Sequence, residues 1–86
     1  MASYSLEIKR SAAKELEQLP RKDRGRVIAR IRALADDPRP AGVEKLSGQE
    51  RYRVRQGNYR ILYEIHGEVL RIIVVKLGHR RDVYRR

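Results

Sequence analysis

Arg51-Tyr-Arg-Val-Arg-Gln-Gly-Asn-Tyr-Arg-Ile-Leu-Tyr-Glu-Ile65 decides the fold, because it reads as two strands joined by a two-residue turn at Gly57-Asn58. With that turn the facing pairs are Gln56 and Tyr59, Arg55 and Arg60, Val54 and Ile61, Arg53 and Leu62, Tyr52 and Tyr63. Side chains alternate across a strand, so Tyr52, Val54, Tyr59, Ile61 and Tyr63 share one face while Arg53, Arg55 and Arg60 share the other. A three-residue loop would set arginines among the apolar residues, which favours the two-residue register. Arg55 directly opposite Arg60 destabilises the pair by up to about 1 kcal/mol. An anion offsets that repulsion, and phosphate is the obvious one.

Upstream, Tyr4, Leu6 and Ile8 alternate with Ser5, Glu7 and Lys9, as in a half-buried strand over residues 3 to 9. Ser11 is placed to cap a helix beginning at Ala12, whose apolar stripe is Ala12, Leu16 and Leu19. Pro20 separates it from a second helix, running from Arg21 or Asp23 to about Asp36. Val27, Ile28, Ile31, Leu34 and Ala35 form its stripe, and Pro38 ends it. Asp36 to Gly48 reads as an irregular connector. Downstream, His66-Gly67 signals a second turn into Val69 to Leu77, apolar on both faces and therefore a central strand. If Ile65 pairs with Glu68, then Leu70, Ile72 and Val74 enter the core, while Ile73, Val75 and Leu77 fall on the arginine face.

The pattern is α+β, in one domain spanning residues 1 to 86. An N-terminal strand and a two-helix hairpin precede a three-strand antiparallel meander. The predicted result is a four-stranded, mostly antiparallel sheet with both helices on one face.

Lys plus Arg number 21 against 11 Asp plus Glu, for a net charge of +10, and 16 of the 21 are arginines. The excess is uneven. Residues 1–50 carry 11 basic and 8 acidic side chains, whereas residues 51–86 carry 10 and 3. A concentrated arginine surface points to a polyanion, since the guanidinium fork grips phosphate bidentately and stacks on bases. With no cysteine there are neither disulfides nor thiolate metal sites. The first residues lack a signal-peptide pattern, and no apolar run approaches the roughly 20 residues of a membrane span. The expectation is a cytoplasmic protein without membrane association.

The chain closes with Gly78-His-Arg-Arg-Asp-Val-Tyr-Arg-Arg86. Tyr84, set among basic residues, suits base stacking beside paired phosphates, or alternatively packs back on the sheet with Val83.

Tyr52-Arg-Val-Arg55, Gly57-Asn-Tyr-Arg-Ile-Leu-Tyr63 and Gly78-His-Arg-Arg-Asp-Val-Tyr84, in this order of elements, resemble the RelE-type toxins of the RelE/ParE superfamily over nearly the whole chain. The resemblance implies a RelE-like fold and the toxin half of a toxin-antitoxin pair, a ribosome-dependent endonuclease cutting mRNA in the ribosomal A site. It further implies no metal and no cofactor. The RNA's own 2′-hydroxyl attacks the adjacent phosphorus. By position, Arg60 corresponds to the transition-state clamp, Arg80 to the group beside the leaving oxygen and Tyr84 to the base-stacking residue. Arg53 and Arg55 stand where relatives often carry lysines, and arginine does not act as a base. His79, with an ordinary pKa of about 6.5, is then the candidate proton-transfer group, or a solvated bystander. Arg51, Arg81, Arg85 and Arg86 are expected RNA contacts. The implied partners are an acidic RelB-like antitoxin, A-site mRNA with 16S rRNA contacts, and operator DNA only through the antitoxin complex. Two other readings fit the same elements: a ParE-like inhibitor of DNA gyrase, and a basic RNA-binding module without chemistry.

Overall fold

The computed structural model describes residues 3–46 and 50–79, His79 by its backbone alone. Strands are numbered along the chain: β1 (Ser5–Ile8), β2 (Glu44–Lys45), β3 (Arg51–Gln56), β4 (Tyr59–His66) and β5 (Arg71–His79). The helices are α1 (Arg10–Glu17) and α2 (Arg21–Leu34). The sheet runs in the order β1-β5-β4-β3-β2. All its ladders are antiparallel except β1 with β5, which is parallel.

The β3–β4 hairpin has the register that the alternation predicts, from Gln56 opposite Tyr59 through Arg55 opposite Arg60 to Tyr52 opposite Tyr63. Positive φ falls on Gly57 (φ 60) and not on Asn58, the arrangement of a type II′ turn. Tyr52, Val54, Ile61, Tyr63 and Ile65 are buried from the sheet. They meet Ala12 of α1 and Val27, Ile31 and Leu34 of α2 in one apolar core. The Tyr52 and Tyr63 rings stack with centroids 5.8 Å apart. The Tyr63 hydroxyl donates to the Pro38 carbonyl at 2.6 Å, which ties β4 to the connector.

Three expectations need correction. The sheet has five strands rather than four, because Glu44 and Lys45 in the supposedly irregular connector pair with Arg53 and Tyr52. Two residues are too few for a periodic signal. Ser11 does not cap α1. The helix starts two residues earlier, at Arg10, with Lys9 as its cap and no side-chain cap bond. Lys9 N donates to Val74 O at 3.0 Å and Lys9 O accepts from Ala13 N at 2.9 Å, so one peptide ends the ladder and begins the helix.

The third correction concerns β5. Residues 67–70 form a four-residue turn, and Ile65 pairs with Ile72, not Glu68. Leu70, expected in the core, stands 40% exposed with φ 51, in the left-handed region that disfavours a leucine. Further along, Leu62 pairs with Lys76 but Tyr63 with Val74, which leaves Val75 as an extra residue in a β-bulge. One extra residue reverses the alternation after it. Leu77, expected on the arginine face, is therefore 1% exposed in the core opposite Ile61, and only Ile73 and Val75 remain half-buried outside it.

The bulge lies just past the end of β1, where β5 has lost its outer neighbour. There Glu15 of α1 substitutes for a strand. Its carboxylate accepts Leu77 N–H at 2.9 Å and the Lys76 ammonium at 3.2 Å.

Candidate anion-binding hollow on the arginine face

The hairpin register that sends the tyrosines inward sends Arg53, Arg55 and Arg60 outward together. They line a hollow of about 100 Å³ with Gly42 and Glu44. Arg60 is the most enclosed of the three at 7% exposure, flanked in the ladder by Arg55 on one side and Gly78 on the other. A guanidinium on a central strand is fixed in direction, which is what positioning a phosphate requires.

The fourth charged group arrives from the connector. Val43 N donates to Pro40 O at 3.1 Å, closing a turn whose third residue, Gly42, has φ 85. That is the position where a type II turn requires positive φ and hence glycine. The turn delivers Glu44 into β2 opposite Arg53. One Glu44 oxygen, Oε1, accepts from Arg53 Nε at 3.0 Å and Nη2 at 2.7 Å. The hydrogen bonds from Arg53, then its charge, then the nearby charges of Arg60 and Arg55 hold the Glu44 carboxyl below its ordinary pKa. It is therefore an anion at neutral pH. Sequence reasoning missed Glu44, and nothing in the letters sets it apart from Glu50, the other acid just ahead of the arginine hairpin.

Arg51 shares the outer face of β3 but lies at its far end. There it donates to Glu64 Oε2 at 2.7 Å, while His66 Nε2 sits 3.0 Å from Glu64 Oε1. The hydrogen bond from Arg51, then that from His66, lower the Glu64 pKa. These groups belong to a separate hollow of about 550 Å³, with Ile65 and Val69 among its walls. The structure thus brings Arg53, Arg55 and Arg60 together and holds Arg51 apart. Arg80, Arg81, Tyr84, Arg85 and Arg86 lie outside the described residues, as does the side chain of His79. Among the described residues no three His, Cys, Asp or Glu side chains gather to hold a metal ion. None of the described helices is long and apolar enough to cross a membrane.

Comparison with known proteins follows the same lines. The family model described as ParE toxin of type II toxin-antitoxin system, parDE, matches residues 6–84. Toxin RelG of Mycobacterium tuberculosis is 29% identical over 87 residues, covering 96% of this chain and 98% of that protein. Among solved structures, the archaeal RelE-RelB complex from Pyrococcus horikoshii OT3 superposes with a TM-score of 0.83 at 30% identity, covering 91% of this chain and 96% of that one. The isolated E. coli RelE toxin shares the fold, with a TM-score of 0.79 at 24% identity over 90% of this chain and 84% of that one.

Proposed function

Since the chain belongs to the ParE toxin family of type II toxin-antitoxin systems, within the RelE/ParE superfamily, we propose that its arginine hollow cuts mRNA on the ribosome. The observation that carries this reading is the convergence of Arg53, Arg55 and Arg60, from two strands, on one hollow.

The chemistry is transesterification within the RNA. The 2′-hydroxyl loses its proton to a base as its oxygen bonds to phosphorus, the bond from phosphorus to the 5′-oxygen breaks, and that oxygen takes a proton. The products are a 2′,3′-cyclic phosphate and a 5′-hydroxyl. Negative charge grows on the non-bridging oxygens, where preorganised guanidinium groups stabilise the transition state more than the ground state. Arg60 is the clamp on those oxygens. Arg55, directly across the ladder, shares the load, and the like-charge repulsion between the two is relieved when the phosphate enters. Arg80 assists the leaving oxygen, Tyr84 stacks a base of the codon, and His79 serves as the proton-transfer group in place of the lysines of relatives. Arg51, Arg81, Arg85 and Arg86 add RNA contacts, and 16S rRNA completes the docking surface. No metal or cofactor enters this scheme.

The partner is an acidic RelB-like antitoxin. The P. horikoshii relative is a RelE in complex with RelB, and here an acidic amphipathic segment would cover the arginines by charge and Ile73 and Val75 by burial. Operator DNA is reached through that complex, and the toxin acts in the cytoplasm. Induced expression in bacteria, followed by mapping of mRNA 5′ ends, tests the proposal. Cuts in frame with codons and dependent on translation are expected. The ParE description of the matching family favours a second reading, gyrase inhibition, which predicts DNA breaks and an SOS response with mRNA intact. Tight, salt-dependent RNA binding without cut product would instead mark a non-catalytic module.

A further inference from the structure

The edge of Arg53 that would grip a phosphate, its Nε and Nη2, is already occupied by Glu44 Oε1. The two partners differ in how firmly they are held. Arg53 stands on β3 between two neighbouring strands with its side chain 19% exposed, whereas Glu44 is on a two-residue edge strand with its side chain 61% exposed. An ion pair with an exposed carboxylate is screened by water and salt, and a second anion with two oxygens in the same plane can replace it. Because the carboxylate is the exposed and peripheral member, it is the one that leaves.

We propose that Glu44 is the resident anion of the arginine hollow, holding Arg53 in its binding orientation and giving way when an RNA phosphate enters. Glu44 thereby sets affinity. It keeps Arg53 extended over the hollow instead of splayed away from Arg55, and it makes weakly held anions compete with a tethered one. Only a ligand that engages several of the arginines at once displaces it. This inference rests on the reading of the hollow as an RNA phosphate site, and it names a positioning residue that acts through Arg53 and touches no reacting atom.

The test is binding of a short single-stranded RNA to the full chain over a series of salt concentrations, for wild type, Glu44→Gln, Glu44→Ala, Arg53→Ala and the Glu44→Gln/Arg53→Ala double variant. At about 0.1 M salt Glu44→Gln is expected to bind roughly two- to tenfold more tightly. Its plot of log affinity against log salt should be steeper by up to about 0.7, because in wild type the displaced carboxylate takes up a cation that offsets one released from the single strand. The gain disappears in the double variant, because without Arg53 there is nothing to release. Equal or weaker binding by both Glu44 variants overturns the proposal, as does a gain that survives loss of Arg53.

A wild-type measurement guards against misfolded variants. The Arg53 Nε–H resonance should shift as inorganic pyrophosphate is added, and an unmoved resonance at saturation overturns the exchange. Cleavage on translating ribosomes is scored separately. Absence of cutting by wild type, with the Glu44→Gln gain intact, removes the nuclease reading and leaves the exchange standing.

Discussion

Glu15 and Leu77, 62 residues apart in sequence, are joined by a hydrogen bond of 2.9 Å from the Leu77 backbone N–H to the Glu15 carboxylate, at the point where β5 runs on beyond β1. A side chain thus completes the ladder. Replacing Glu15 by Ala orphans a part-buried N–H, which costs about 1–2 kcal/mol. In a domain of this size each kcal/mol corresponds to roughly 4–8 °C in melting temperature. Glu15→Gln keeps an acceptor and should recover most of the loss, so thermal unfolding of the pair separates the bond from the charge.

The turn at residues 67–70 and the bulge at Val75 make opposite demands on two leucines of one apolar run. Leu77→Ala should destabilise by about 2–5 kcal/mol, the range for emptying a buried leucine site. Leu70→Gly should be neutral or stabilising by up to about 1 kcal/mol, because glycine accepts the φ of 51 without a steric penalty. Urea midpoints measure both. The reverse ranking would mean that Leu70 is in the core and Leu77 outside it, with neither the turn nor the bulge in place.

Burial raises the Tyr63 hydroxyl pKa from its ordinary 10.0 to about 12. With the folded value above the unfolded one, the unfolded chain loses this proton first as pH rises. The contribution to stability is therefore whole below pH 10 and lost between about pH 10 and 12. Tyr63→Phe should cost about 1 kcal/mol at neutral pH through the lost bond to Pro38. It should also flatten the alkaline fall, seen by subtracting its urea-unfolding profile from that of wild type.

At low pH the sign reverses. Hydrogen bonds from Arg51 and His66 depress the Glu64 pKa, so its contribution is present above the ordinary value of 4.5 and fades as pH falls through the lower folded one. Glu64→Gln should remove that part of the acid-induced loss. Denaturant midpoints between pH 3 and 6 report it.

On translating ribosomes, Arg60→Ala should slow codon cleavage by roughly 10²–10³-fold, the effect of removing one donor to a developing oxyanion. Arg80→Ala should act in the same direction, and an Arg60→Ala/Arg80→Ala variant with full toxicity rejects both roles. For His79→Gln the readout is the pH dependence of the rate, which an uninvolved imidazole would leave unchanged.

The hairpin was legible because two independent signals agree on it, a Gly-Asn turn and a period-two separation of tyrosine from arginine. One slip in register would have placed Arg53 or Arg55 in the core. The same register made the Arg53, Arg55 and Arg60 cluster readable before any coordinates. In β5 no such penalty exists. Residues 69 to 77 are apolar on both faces apart from Arg71 and Lys76, so nothing in the letters marks where an extra residue enters. The pairing of Glu44 was hidden for a different reason. Its strand is two residues long, and its position is set by the turn at Gly42 and by Arg53, a contact made only once the sheet has formed.

The bulge also gives the last strand an odd-even memory. Deleting Val75 would restore a regular ladder and leave Lys76 outward and Leu77 inward, because Val74, Lys76 and Leu77 already pair with the consecutive residues Tyr63, Leu62 and Ile61. Removing two adjacent residues there would instead exchange the environments of Lys76 and Leu77, driving an ammonium inward and a leucine out. Length changes near this point therefore act by parity and not by size, and a homologous chain aligned through it with a single-residue gap should keep the same inward and outward pattern beyond the gap while lacking the bulge.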